Sequence, residues 1–228
     1  MVKYSLSFGV IGRAIESGLI TVSYINPRDY AENKHGRVDD KPFGGGPGMV
    51  MMYDPMKRAL QAIEKKGHAG EVMFLTPQGK QLNQSLCNEL AKKNTLTLVC
   101  GRYEGIDQRF VDECVDQEIS IGDYVISGGE VAACVVIDAI GRQIKGVLGD
   151  DESATTDSFM NGMLGFPQYT RSDLLGRSGV PEVLLSGHHQ AISDWREHQA
   201  AELTKLKRPD LLVGTSEGKK CHSSTQKK

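Results

Sequence analysis

The chain has 228 residues, of which 39% are hydrophobic and 25% charged, and its formal net charge is −2. That balance describes a globular protein able to bury a sizeable core and excludes a wholly disordered chain. The longest apolar run, Val131 to Ile137, is far shorter than the ~18 residues of a membrane helix, so no membrane partner is expected.

No basic segment followed by an apolar stretch opens the chain, so no signal peptide is expected. Cys87, Cys100, Cys114, Cys134 and Cys221 are odd in number and form no C-x-x-C pair. Reduced thiols and a cytoplasmic location fit better than a disulfide framework or a zinc site. Glycine is abundant at 26 residues and clusters in a few loops, where a backbone bends tightly or approaches a ligand. Charge is uneven. Residues 196–228 hold eight Lys/Arg against four Asp/Glu, which leaves the rest of the chain acidic. A basic tail on an acidic body can reach for phosphates, or it can simply be solvated.

In chain order, residues 12–19 read as the end of a helix with Gly18 as its stop. Residues 19–25 are apolar and β-branched, as in a strand. Residues 26–48 show no periodicity and end in Phe43-Gly-Gly-Gly-Pro-Gly-Met49, a length usual for functional loops. A helix is predicted over 55–66, a buried strand over 71–75 with Thr76-Pro-Gln-Gly79 turning away, and a helix over 83–93. A second buried strand, 95–100, runs into Gly101-Arg-Tyr-Glu-Gly-Ile-Asp107. Residues 108–115 read as a helix, 117–127 as a strand with a turn, and 130–142 as an apolar helix. The alternation predicts an α/β fold with a mostly parallel sheet, and the unbroken apolar strands predict one covered on both faces. Residues 145–158 read as a polar linker. A small helical domain follows, with a helix over 193–206, and a disordered tail begins at Gly214.

Three glycine loops follow three predicted strand ends: Leu75 to Gly79, Gly101 to Gly105, and Ser120 to Gly129. Ligands of open α/β sheets bind outside the carboxyl ends of the strands. None of the loops matches G-x-G-x-x-G or a P-loop, which disfavours dinucleotide enzymes and P-loop NTPases. The loops alone fit a nucleotide-like ligand or plain tight turns. Asp39-Asp40 and His188-His189 read as ordinary surface pairs rather than metal ligands, and Asp107, Asp112, Glu113, Asp116 and Glu118 as a solvated helix face. Arg142 suits a helix C-terminus, and Asp157 could cap a helix; spacing makes neither catalytic.

Taken together the motifs are more specific. Asn26-Pro-Arg-Asp29, Lys34-His35, Val38-Asp-Asp40, Gly44-Gly-Gly-Pro-Gly-Met49, Pro77-Gln-Gly79, Cys100-Gly-Arg-Tyr-Glu-Gly-Ile-Asp107, Ser120-Ile-Gly-Asp-Tyr124, Ser127-Gly-Gly-Glu130, Gly146-Val-Leu-Gly149 and Asp157-Ser-Phe159 occur in this order. The set resembles the TrmD family of bacterial tRNA (guanine-N1) methyltransferases, over residues 9–212. The resemblance implies a SPOUT methyltransferase domain over residues 1–148 with a deep trefoil knot in its C-terminal half, a rare exception to unknotted topology. It implies a flexible linker over 149–158, a helical tRNA-binding domain over 159–213 and a disordered tail over 214–228. It also implies a homodimer, S-adenosyl-L-methionine as methyl donor, and a tRNA anticodon stem-loop as substrate. The target is the guanosine 3′ of the anticodon, position 37.

Carried over by position, the methyl-donor site is Leu75, Pro77, Gln78, Gly101, Tyr103, Glu104, Gly105, Ser120, Ile121, Tyr124, Ile126, Gly128 and Gly129. Asp157 resembles the family's general base and Arg142 the basic residue beside the target guanine. Guanine N1 becomes a nucleophile once its proton leaves, which a carboxylate can accept, and an arginine can balance charge on O6. Arg171, Arg196, Lys205, Lys207 and Arg208 are expected phosphate contacts. The family is associated with Mg2+; no metal cage is evident here, and Glu104 is the one candidate ligand.

The chain departs from the family pattern in four places. The usual first strand would precede Met1, and its loss is expected to leave sheet backbone unpaired. Ala132 replaces a proline in the knot loop. Gln168 and Ser172 stand where His and Pro are usual. The tail is shorter. The reading from another class is a catalytically silent RNA-binding protein that keeps the fold.

Overall fold

The computed structural model describes residues 1–150 and 154–213. The chain divides into two units, Met1–Asp151 and Glu152–Lys228.

The first unit opens with helices α1 (Val2–Ser5) and α2 (Gly9–Glu16). A two-stranded antiparallel pair, β1 (Asp39–Asp40) and β2 (Val50–Met51), precedes helix α3 (Tyr53–Glu64). Then come β3 (Glu71–Gln81), α4 (Gln84–Leu90), β4 (Leu96–Cys100), α5 (Gln108–Cys114), β5 (Gln117–Ser120) and α6 (Gly129–Gly141). Strands β3, β4 and β5 form a parallel sheet in the order β4-β3-β5, with Met73 opposite Leu98 on one side and Gln117 on the other.

Side chains of a strand alternate between faces, and β3 shows why its apolar run is unbroken. Met73 and Leu75 pack with α4 and α6, around Leu86, Leu90, Ala133, Val136 and Ile140. Val72 and Phe74 pack on the opposite face with α3 and α5, around Met56, Leu60 and the fully buried Phe110. The connections explain this layering. β4 and β5 flank β3 on opposite sides, so two right-handed crossovers must place α4 and α5 on opposite faces. A third cluster, Leu6, Ile11, Ala14 and Val147, anchors the N-terminal helices.

Several expectations need correction. Residues 19–25 do not form a strand. Their burial partly alternates, but the segment lacks a ladder partner among the described residues. β-branched side chains favour extended backbone; only a neighbour makes it a strand. Residues 26–48 are not structureless. A 3-10 turn, Pro27–Tyr30, is capped by Asn26, whose side chain accepts from the Arg28 N–H at 3.1 Å. Asn33 and Arg37 then exchange hydrogen bonds ahead of β1. β3 runs past residue 75 to Gln81, because Lys80 resumes pairing with the partner of Leu75, namely Ile119. Residues 76–79 are thus looped out of a continuing strand. Ala132 lies in α6, buried against the sheet, rather than in a loop.

The acids of 107–118 are not merely solvated. Asp107 caps α5, and its pairing with Arg109 holds its carboxyl below the usual range. Asp116 accepts from the Val72 N–H at 2.8 Å. Glu113 binds Tyr53 and Lys57, which lower its pKa, the tyrosine hydroxyl most.

The second unit holds a 3-10 turn (Glu182–Leu185) and helices α7 (His189–Lys207) and α8 (Asp210–Val213). His188 caps α7, its Nδ1 accepting from the Ala191 N–H at 3.1 Å. Thr204 is fully buried. Its Oγ1 accepts from the Leu164 N–H at 2.9 Å and donates to the Ala200 carbonyl at 2.6 Å, tying the entry segment to α7. The expected disordered tail and residues 151–153 of the expected linker lie outside the described residues.

Candidate active site

The three glycine loops lie at one end of the parallel sheet, the first interrupting β3 after Leu75 and the others following β4 and β5, the usual position of an α/β ligand crevice. Sheet order therefore brings together segments that the sequence separates by more than forty residues.

The first loop is the excursion 76–79. Thr76 Oγ1 bonds Gln78 Oε1 at 2.7 Å, which shapes the turn carrying Pro77 and Gln78 beyond Leu75. It closes at Gly79, where an added Cβ would lie 2.6 Å from the Glu118 carbonyl oxygen. Only glycine lets β3 return against β5 there. The second loop, Gly101 to Gly105, is held from outside by the β1–β2 region. The Glu104 N–H donates to the Met49 carbonyl at 3.0 Å, and the Met51 N–H to the Gly105 carbonyl at 2.9 Å. A Cβ on Gly48 would lie 2.8 Å from Glu104 Cδ, so the Gly44-Gly-Gly-Pro-Gly48 segment folds directly against this loop. Tyr103 takes a left-handed conformation, φ 61°, and stays 48% exposed. Its hydroxyl lies 3.5 Å from Arg28 Nη2. The third loop follows Ser120, whose Oγ accepts from the Gly122 N–H at 3.2 Å. Tyr124 and Ile126 are exposed, at 56% and 37%, and Gly128 and Gly129 lead into α6. The Gly129 N–H donates to the Gly101 carbonyl at 2.8 Å, joining the third loop to the second.

Every expected methyl-donor residue thus falls on or beside these loops. Exposed aromatic rings, exposed apolar side chains and glycine backbone make a surface suited to a purine, a ribose and a thioether-like chain. Sequence reading missed the residues that brace it: Arg28, Met49, Met51, Arg102 and Glu130. Arg28, Met49, Arg102 and Glu130 stood inside the motifs quoted from the sequence without a role of their own, and Met51 stood outside them. Cys100, beneath the second loop, is pushed up to about 12 by burial and then by the nearby Glu130 charge, so it is a neutral core thiol.

Arg142 is the C-terminal cap residue of α6 in the first unit; its Nε is buried, and its N–H donates to the Asp138 carbonyl at 3.1 Å. Asp157 is exposed in the second unit, within a turn where its carbonyl accepts from the Met160 N–H. Of the expected phosphate contacts, Arg171, Lys205 and Lys207 are exposed. Arg196 lies 4.8 Å from the Phe166 ring centre, and Arg208 pairs with Asp210. Among the described residues, no three His, Cys, Asp or Glu converge as a metal cage. A surface hollow of about 420 Å3 lies elsewhere, between the N-terminal helices and α6, lined by Leu6, Phe8, Ile11, Cys134, Val135 and Asp138.

A family model described as tRNA (Guanine-1)-methyltransferase TrmD matches residues 1–214. A tRNA (guanine-N(1)-)-methyltransferase of Halorhodospira halophila is 53% identical over 215 residues, covering 94% of this chain and 81% of the relative. Enzymes of the same name from Photobacterium profundum and Pseudoalteromonas translucida are 50% and 51% identical. Each match covers 90% of this chain, and 83% and 80% of those relatives. A match along nearly the whole chain, glycine loops included, identifies it: the chain belongs to the tRNA (guanine-1)-methyltransferase TrmD family.

Proposed function

We propose that this protein methylates N1 of the guanosine at position 37, 3′ of the anticodon in tRNA, using S-adenosyl-L-methionine, on a SPOUT domain whose C-terminal half is a trefoil knot. The observation that carries the reading is the convergence of three glycine loops at one end of the sheet, one interrupting β3 and two following β4 and β5, in a chain about half identical to enzymes of that name. The residues present fit the methyl donor. Gly105 has open space where a Cβ would stand, and Tyr103, Tyr124 and Ile126 offer faces for its adenosine.

The bound donor supplies a methyl group already activated on a sulfonium. The chain's own residues do the rest. The Asp157 carboxylate accepts the N1 proton, the N1 lone pair takes the methyl carbon, and the carbon–sulfur bond breaks. The Arg142 guanidinium balances charge on O6. The loops hold donor and acceptor in line, which supplies much of the remaining rate. Arg171, Lys205 and Lys207 offer charge to the phosphates of the anticodon stem-loop, and residues 159–213 form the tRNA-binding domain. Glu104 is the candidate Mg2+ ligand, and among the described residues no cluster of His, Cys, Asp or Glu side chains joins it. The exposed apolar side chains Tyr4, Phe8, Val131 and Val135 support a homodimer.

A catalytically silent RNA-binding role is the second reading, favoured by segment 19–25, which has no sheet partner among the described residues. One assay separates the two: methyl transfer from labelled donor to an anticodon stem-loop with guanosines at positions 36 and 37. A control RNA carries adenosine at position 37. Label on the first RNA alone supports the enzyme. RNA binding without label supports the silent form.

A further inference from the structure

Arg102 and Glu130 lie outside the expected methyl-donor set, yet they fasten two of its loops together. Arg102 stands between Gly101 and Tyr103 in the loop after β4, and Glu130 in the first turn of α6, just after Gly128 and Gly129. Arg102 Nε donates to Glu130 Oε1 at 2.7 Å. The side chains are 44% and 25% exposed, so the pair is partly shielded from water. The hydrogen bond to Glu130 raises the pKa of Arg102 further above its ordinary value.

The surrounding backbone is shaped to this pair. Gly128 has φ 172°, an extended conformation open to any residue, so its lack of a side chain answers a need for space. A Cβ there would lie 2.6 Å from Glu130 Oε2 and 3.3 Å from Arg102 Cγ. One on Gly129 would lie 2.8 Å from Cys100 Cα. The Arg102 N–H reaches Met51 Sδ at 3.3 Å, so the same residue ties the second loop to the β1–β2 pair as well.

We propose that the Arg102–Glu130 pair is a latch that fixes the spacing between the second and third glycine loops and thereby sets affinity for the methyl donor. Both are positioning residues. Neither is assigned contact with the donor, and Gly128 is the clearance that lets the latch close. The inference rests on reading these loops as the donor cradle.

The test uses the full chain and S-adenosylmethionine titrated by calorimetry, with hydrogen exchange of the free protein as a second readout. Arg102→Gln and Glu130→Gln each weaken binding about fivefold, the size expected for a partly shielded ion pair. The double variant binds no more weakly than the weaker single one, because both break one interaction. Amides 101–105 exchange faster in all three, and the melting temperature moves by no more than about 3 °C. Unchanged affinity, losses that multiply in the double variant, or exchange that quickens evenly across the first unit would each overturn the latch. No binding by the parent chain would overturn the proposed function as well; binding by the parent with unaltered variants overturns the latch alone.

Discussion

Gly79→Ala isolates what the looped-out segment of β3 contributes. The position has no positive φ, so alanine brings no backbone strain, only volume. That volume meets backbone, which cannot turn aside as a flexible side chain can. With the new Cβ 2.6 Å from the Glu118 carbonyl oxygen, β5 must retreat by roughly 1 Å to reach ordinary contact. The retreat falls where Lys80 and Gln81 pair with Ile119 and Ser120. A shift of that size breaks about two ladder hydrogen bonds, worth about 1 kcal/mol each, and adds overpacking of about 1 kcal/mol. The expected loss is about 3 kcal/mol, read as a fall of about 1 M in the urea midpoint of the first unit. Because the excursion carries Pro77 and Gln78, methyl-donor affinity should fall as well. Gly67→Ala is the control. It has φ 72° with open space around it, so it shows conformational strain of about 1 kcal/mol and leaves donor affinity alone. Gly79→Ala with parental stability and parental affinity would refute the claim that close approach of β3 and β5 shapes this loop.

Three further outcomes follow. Thr204→Val keeps shape but removes the acceptor of the Leu164 N–H; the second unit should lose about 1–3 kcal/mol in thermal denaturation, while donor binding by the first unit stays unchanged. Cys100 holds its proton to about pH 12 when folded and loses it near the ordinary thiol value of 9.0 when unfolded. Its contribution is intact below pH 9, and stability should then fall by about 1.4 kcal/mol per pH unit up to about pH 12; an alkaline limb no flatter in Cys100→Ala would contradict this. Asp157→Asn should bind donor and RNA normally and lose turnover, so an undiminished single-turnover rate would remove Asp157 from the mechanism.

The central strands were legible because a strand covered on both faces must be apolar at every position, and 71–75 and 96–100 are nearly so. Apolar spacing and the breaks at glycine and proline placed the helices within a few residues, and the structure adds the cap at Asn83. Residues 19–25 misled for a definable reason. Their composition specifies an extended backbone, and composition carries no information about whether a neighbour is present to pair with it. Residues 26–48 misled in the opposite sense: Asn26, Asn33 and Arg37 order that segment through side-chain hydrogen bonds, which leave no periodic trace. The site divides similarly. Glycine-rich loops after buried strands announce a ligand crevice, while the roles of Asp157 and Arg142 came from family resemblance alone, because a lone carboxylate and a lone arginine look the same whether or not they react.

The bracing residues were hidden for a further reason, and it bears on how the site works. Met49 reaches Glu104, Met51 reaches Arg102 and Gly105, and Arg102 reaches Glu130. These contacts run in series across the sheet end, from the β1–β2 pair through the second loop to the start of α6. Each joins residues that are at least 28 positions apart, too far for any local pattern to reveal. A series of this kind has a physical consequence. Each link is a single hydrogen bond or ion pair, worth at most a few kcal/mol, yet loosening one releases two loops from a shared spacing. Glycine recurs at the junctions, at 48, 128 and 129, because the linked segments touch backbone to backbone or against the linking side chains. The glycines at these junctions are therefore divided between two tasks: open surface at Gly105, where a ligand can approach, and tight closure at Gly48, Gly79, Gly128 and Gly129, where the loops that receive it are fastened.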